Sequence, residues 1–221
     1  MRPDLGEGVD LETEGDAVVE ENALQESIRF HGHMCAGLAL GLRASELALR
    51  VLGTDRERND LIVAVETDTC SVDAIQALTG CTFGNGKLYF RDHAKSAYTF
   101  WQDQREKALR IVARPEGPNA AGPDFWARFE RVQRGTATEE ERAAFAQDQR
   151  ERSQLILESS DDDLFSTEET HEIPPTRPLV SAPVHCQGCG EATMAHRTVE
   201  RAGAALCASC EPLRSNLLGS R

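Results

Sequence analysis

The sequence predicts an α+β protein, with helices packed on a mostly antiparallel sheet and a small zinc ribbon at the C-terminal end. Three observations carry this prediction. In the N-terminal third, apolar residues recur at helical spacing and stop at glycines. Short apolar runs bounded by turn residues then follow at 61–65, 87–91, 97–101 and 109–113. Two Cys-x-x-Cys pairs lie beyond a Pro-rich stretch. The expected organisation is a core domain over 17–158, a linker over 159–183 and a ribbon over 184–213.

Residues 1–20 read as an acidic arm. A first helix is expected from about Asn22, a usable N-cap, to Gly32, with Leu24 and Ile28 on its apolar face. A second runs from about Gly37 to Leu52, where Gly53 supplies a stop. Gly37 and Gly41 share a face of it, so either a neighbouring element or a ligand approaches closely there. Leu61–Val65 reads as a buried strand, and Ser71–Leu78 as a helix ended by Thr79-Gly80. Gly84-Asn85-Gly86 is a turn, too unlike a P-loop to mark phosphate. Strands follow at Lys87–Arg91, Ala97–Trp101 and Leu109–Ala113, the last closing an antiparallel set. Asp124–Arg134 and a longer charged segment from Thr138 to Glu158 read as helices. The second opens on a Thr138/Glu141 capping box. Leu164–Ile173 has the pattern of one more strand, and Pro174–Pro183 is stiff linker.

Chemistry concentrates in Phe30-His31-Gly32-His33-Met34-Cys35-Ala36-Gly37. Two imidazoles and a thiol within five residues suit a transition metal. Cys35 falls just before a helix, where free N–H groups favour a thiolate, and Cys70 repeats that setting. The expected metal ligands in the core are therefore His33, Cys35 and Cys70. Cys81 follows its helix and is assigned to packing. His93 reads as part of a solvated turn.

Cys186-Gln-Gly-Cys189 and Cys207-Ala-Ser-Cys210 have zinc-ribbon spacing. Four thiolates leave a zinc ion no open position, so this zinc is structural. The ribbon is too small to fold on an apolar core, and the metal must contribute its folding energy.

Acidic residues number 37 against 24 basic ones, a formal charge of −13. Lys87, Lys95 and Lys107 are the only lysines. Such a surface disfavours nonspecific nucleic-acid binding. It keeps a chain soluble by self-repulsion, as halophilic surfaces do. No apolar run reaches membrane-spanning length. Met1–Asp16 is acidic and unlike a secretory signal, so the expected compartment is the cytoplasm. Seven cysteines in such a chain point to metal rather than to disulfides.

The Phe-His-Gly-His-x-Cys-x-Gly stretch with Gly41-Leu42-Arg43 resembles the opening motif of the FmdE family of formylmethanofuran dehydrogenase proteins. The block from Cys70 through Asp73, Gln76, Thr79-Gly80-Cys81 and Gly84-Asn85-Gly86 strengthens the resemblance. The family usually has Pro where this chain has Ala36. The resemblance implies the same layout and a homodimer. It also implies a molybdenum or tungsten enzyme partner and a pocket role for Lys95, while His31 is expected to line the same pocket as a cofactor contact. The leading expectation is a metal-binding accessory protein with structural zinc and a second transition metal in the core. Two alternatives stand beside it. One is an enzyme with Cys35 or Cys70 as nucleophile, His33 or His31 as base and Asp73 as orienting carboxylate. The other is a scaffold whose only metal is the ribbon zinc.

Overall fold

The computed structural model describes residues 20–102, 108–176, 180–201 and 203–211. The expected acidic arm lies outside them, apart from Glu20. The chain forms two compact units, Met1–Pro175 and Thr176–Arg221.

The first unit carries helices α1 (Glu21–His31), α2 (Ala36–Leu52), α3 (Ser71–Thr79), α4 (Pro123–Gln133), α5 (Glu139–Glu158) and α6 (Asp161–Leu164). Its strands are β1 (Leu61–Val65), β2 (Leu88–Phe90), β3 (Ala97–Gln102), β4 (Ala108–Ala113) and β5 (Phe165–Thr170). They form one sheet in the order β2-β1-β3-β4-β5. The pairs β1–β3, β3–β4 and β4–β5 are antiparallel. β2 runs parallel to β1, because α3 intervenes as a crossover between them. The sheet is thus mixed, with most pairings antiparallel as expected.

The core lies between the helices and one face of the sheet. Leu40, Leu47 and Leu52 of α2 and Ile156 of α5 cluster with Val63, Val65, Phe100 and Ile111. α2 is buried along most of its length, the pattern of a helix with neighbours on several sides. α1 begins one residue before Asn22; its cap is Glu20, without a side-chain hydrogen bond. At its other end Gly32 takes φ 100°, a left-handed conformation that ends the helix and turns the chain toward α2. The capping box of α5 forms in both directions between Thr138 and Glu141. Its expected apolar face is uneven: Ile156 is buried, while Ala143, Ala144 and Leu155 are exposed. Phe145 meets Phe125 and Phe129 of α4.

The stretch 159–183, expected as linker, contains both α6 and β5. β5 pairs with β4 along Ala108–Ala113 and contributes buried Phe165 to the core. The first unit therefore extends past 158 to Pro175.

Glu66, next after β1, is 6% exposed in its side chain and pairs with Arg110 at 2.7 Å and His93 at 3.2 Å. Burial works to raise its pKa, but the Arg110 and His93 hydrogen bonds outweigh it and hold the carboxyl below its ordinary 4.5. A depressed carboxyl contributes stability above its unfolded-state value and loses it as pH falls through the folded-state value. Glu66→Gln is expected to cost about 2 kcal/mol at neutral pH. The gap to wild type should close as pH falls below 4.5. Thermal midpoints of both proteins across pH 3–8 check this; a gap constant with pH refutes it.

In the second unit β6 (Pro183–His185) pairs with β7 (Ala192–Met194), and β8 (Val199–Arg201) with β9 (Ala204–Leu206). A short 3₁₀ turn at Ala195–Arg197 joins the two hairpins.

Candidate metal centres

Among the described residues two groups of side chains converge tightly enough to hold an ion. They are His31, Cys35 and Cys70, and the four cysteines of the second unit. Within each group the ligand atoms lie within 4.8 Å of one another.

The first group is assembled by helix ends. His31 is the last residue of α1 and Cys35 the N-cap of α2, where its sulfur accepts the Leu38 N–H. Cys70 is the N-cap of α3. The two helix starts meet because α2 has no side chain at the contact. A β-carbon on Gly37 would lie 3.1 Å from the Cys70 Cβ, and one on Gly41 only 2.1 Å from the Ser71 carbonyl oxygen. Of the two readings of these glycines, close packing is the one realised, and it sets the distance between the thiols. Ala36, at the usual family proline, donates its N–H to Gln149 of α5 at 3.1 Å. Proline has no N–H to give there.

His31 is fixed from behind. Its Nδ1 lies 2.7 Å from Asp73 of α3, and its Nε2 faces the Cys35 sulfur at 3.8 Å. A carboxylate on one imidazole nitrogen orients the ring and leaves the other nitrogen as an electron-pair donor. The thiols share protons. Cys70 is pushed down to about 6, first by the hydrogen bond from Cys35 and then by His31. The same bond, together with burial, pushes Cys35 up. An ion bound between the two sulfurs would displace the proton that the pair retains.

His33, expected as a ligand, is outside this group. It is exposed and its ring rests 4.6 Å from that of His31. His31, expected as a cofactor contact or, in the enzyme alternative, as a base, stands in the group instead, because Gly32 ends α1 directly after it. Lys95 is exposed and is not among the residues of the neighbouring cleft. That cleft, about 550 Å³, is bordered by His31, Cys70 and Asp73 as well as by loop residues after β1. Cys81 is buried and gives its S–H to the Leu61 carbonyl, the packing role expected. The Gly84-Asn85-Gly86 turn is closed by its own Asn85, whose Oδ1 accepts the Thr82 and Lys87 N–H groups. Those donors are therefore not free to hold an anion.

The second group sits on two turns. Cys186 receives N–H donors from Cys207 at 3.2 Å and Gly188 at 3.4 Å. They help hold its thiol down at about 6, with the Cys207 donor the largest influence. Gly188 leaves room for Cys210, whose sulfur would lie 2.9 Å from a β-carbon there. Gly190 takes φ 79°. Cys189 and Cys207 sulfurs are 3.8 Å apart, the edge of a tetrahedron with bonds of ~2.3 Å. His196 is exposed and pairs with Ser181, so it does not compete as a ligand.

Comparison with known proteins places these features in a family. A curated relative, the "Probable S-adenosyl-L-methionine-binding protein" of Archaeoglobus fulgidus, is 29% identical over 188 residues. The match covers 82% of this chain and 50% of the relative, so the chain spans half the length of that protein. The fold matches a tungsten formylmethanofuran dehydrogenase FmdE-like protein from Syntrophus aciditrophicus with a TM-score of 0.57. That likeness covers 87% of this chain and 91% of the other, at 24% identity. The family model described as "FmdE, Molybdenum formylmethanofuran dehydrogenase operon" matches residues 30–166. That span opens just before His31 and takes in Cys35, Cys70 and the whole sheet up to the start of β5, and by it the chain belongs to the FmdE family.

Proposed function

We propose that this protein is a metal-binding accessory protein whose core holds a transition metal on His31 Nε2 and the Cys35 and Cys70 sulfurs. In this reading the four C-terminal cysteines hold a structural zinc. The observation that carries it is the Asp73–His31 pair aimed at two thiols whose helix starts are in contact. The donor set fits the group: one imidazole and two thiolates are borderline-to-soft ligands, suited to zinc, nickel, iron or copper. Three ligands leave a four-coordinate ion one position short, and two of them, His31 and Cys70, border the cleft. The core metal is thus of the kind that receives a further ligand, while four thiolates close the other site. As parts of the same proposal, the protein is a cytoplasmic, salt-adapted homodimer that serves a molybdenum or tungsten formylmethanofuran dehydrogenase.

A cysteine-dependent enzyme is the second reading, favoured by the depressed Cys70 thiol beside His31 and Asp73. The name of the Archaeoglobus relative makes S-adenosyl-L-methionine a compound to be tried in the cleft.

Metal analysis separates the readings. The purified chain is expected to carry two metal ions. Cys35→Ala, Cys70→Ala and His31→Ala should each lose one and keep the other, whereas His33→Ala should keep both. Cys207→Ser should lose the ribbon ion alone. One metal per chain, unaffected by Cys70→Ala, would sink the core site. Loss of turnover on thiol alkylation of a protein with that single metal would select the enzyme.

A further inference from the structure

Building on the core metal site, we propose that the adjoining cleft selects a small organic cation with a flat apolar body. The inference rests on the sign of the charge around the cleft and on two rings left open at its mouth. Asp68 and Asp73 both border it, and among the described residues no lysine or arginine does. Basic side chains on the neighbouring strands are engaged elsewhere. Lys87 is on Asn59, Arg91 on Glu172 and over Trp101, and Arg110 on Glu66. A divalent ion on two thiolates and a neutral imidazole adds no net charge, so the two carboxylates remain uncompensated. Asp73 is turned to His31, while Asp68 is exposed and has no hydrogen-bond or ion-pair partner among the described residues. An anion entering here meets repulsion on every charged wall; a cation meets attraction, focused by the cleft.

The apolar requirement comes from Phe83 and Phe90. They are 77% and 45% exposed on the cleft border. Neither ring contacts another aromatic ring among the described residues. Two accessible rings on a border shared with two carboxylates suit a planar group bearing positive charge, since ring faces attract cations as well as burying apolar area.

Phenyltrimethylammonium and benzenesulfonate test this. They share a phenyl ring, differ in sign and are poor ligands for a thiolate-bound metal. Binding to the full chain is measured calorimetrically at low salt, with the core metal present and again in Cys35→Ala protein. A unit charge about 7 Å from a carboxylate, at an effective dielectric constant near ~40, gains roughly one decade of affinity. Phenyltrimethylammonium should therefore bind at least ~10-fold more tightly than benzenesulfonate. Asp68→Asn should weaken the cation by about one decade and strengthen the sulfonate by a similar factor, and 0.5 M salt should shrink the preference. Phe83→Ala should weaken both compounds together. Equal affinities, tighter sulfonate binding or no binding of the cation overturns the proposal. Because Asp68 and Asp73 belong to the chain itself, the charge preference persists in Cys35→Ala. Absence of a core metal with the preference intact refutes the metal reading alone, and a core metal without the preference refutes this inference alone.

Discussion

Replacing Gly41 with alanine is expected to destroy the proposed core metal site without touching any of its three side chains. The added methyl would lie 2.1 Å from the Ser71 carbonyl oxygen and 2.6 Å from the Ser71 Cα. Both are backbone atoms, so no rotamer change relieves the clash, and α3 must move away from α2. Ser71 is adjacent to Cys70, and the movement carries that thiol away from Cys35. Overpacking commonly costs 1–3 kcal/mol, and a clash with backbone belongs at or beyond the upper end, about 3 kcal/mol. Gly37→Ala is the graded companion. Its methyl would meet the Cys70 Cβ at 3.1 Å, a contact that yields by a few tenths of an ångström. It should weaken the metal with a smaller loss of stability. Gly84→Ala, with nothing within 4 Å, is the control. Thermal midpoint and bound metal, measured together on the three variants, decide the matter. A stable Gly41→Ala protein with full metal content would show that helix contact does not set the thiol spacing.

The second large effect is expected at Arg43. Its side chain is 2% exposed and its guanidinium closes the C-terminal end of α5. One nitrogen donates to the carbonyls of Ile156, Leu157 and Ser159 at 3.0, 2.9 and 2.6 Å. The other reaches Asp161 at 2.9 Å, which Arg50 also contacts. The last carbonyls of a helix have no intrahelical donor, and here a residue of α2 supplies one. Arg43→Ala leaves those acceptors and Asp161 without it, a loss of about 3–5 kcal/mol. For a chain of this size that lowers the midpoint by roughly 10 °C. Arg43→Lys keeps the charge but not the fork, and should recover less than half. A loss under ~1 kcal/mol for Arg43→Ala would mean that water replaces the guanidinium.

What the sequence discloses depends on how local each determinant is. The convergence of the four C-terminal cysteines is readable because two Cys-x-x-Cys turns carry their own geometry in four residues each. The helices around Cys35 and Cys70 are readable from apolar spacing and glycine stops. The choice between His31 and His33 is not, since it depends on Asp73, which lies in a different helix and reaches back to His31. The parallel course of β2 depends on α3 crossing over the sheet, and a turn signal at 84–86 says nothing about which strand comes next to it. The strand pattern at 164–173 is legible, but its pairing with β4 spans three intervening helices, so the stretch reads as linker until the partner is known. Gly41 marks a close approach without naming what approaches.

The order of the elements along the chain has a consequence for biosynthesis. His31, Cys35 and Cys70 and the helices that position them are all synthesised by Thr79. β5, which completes the sheet, ends at Thr170, and the four ribbon cysteines come after it. A chain emerging from the ribosome therefore completes the His31, Cys35 and Cys70 group while the sheet is still unfinished. The four-cysteine group follows it, so on the proposed function the two sites meet the cellular metal pool at different stages of translation.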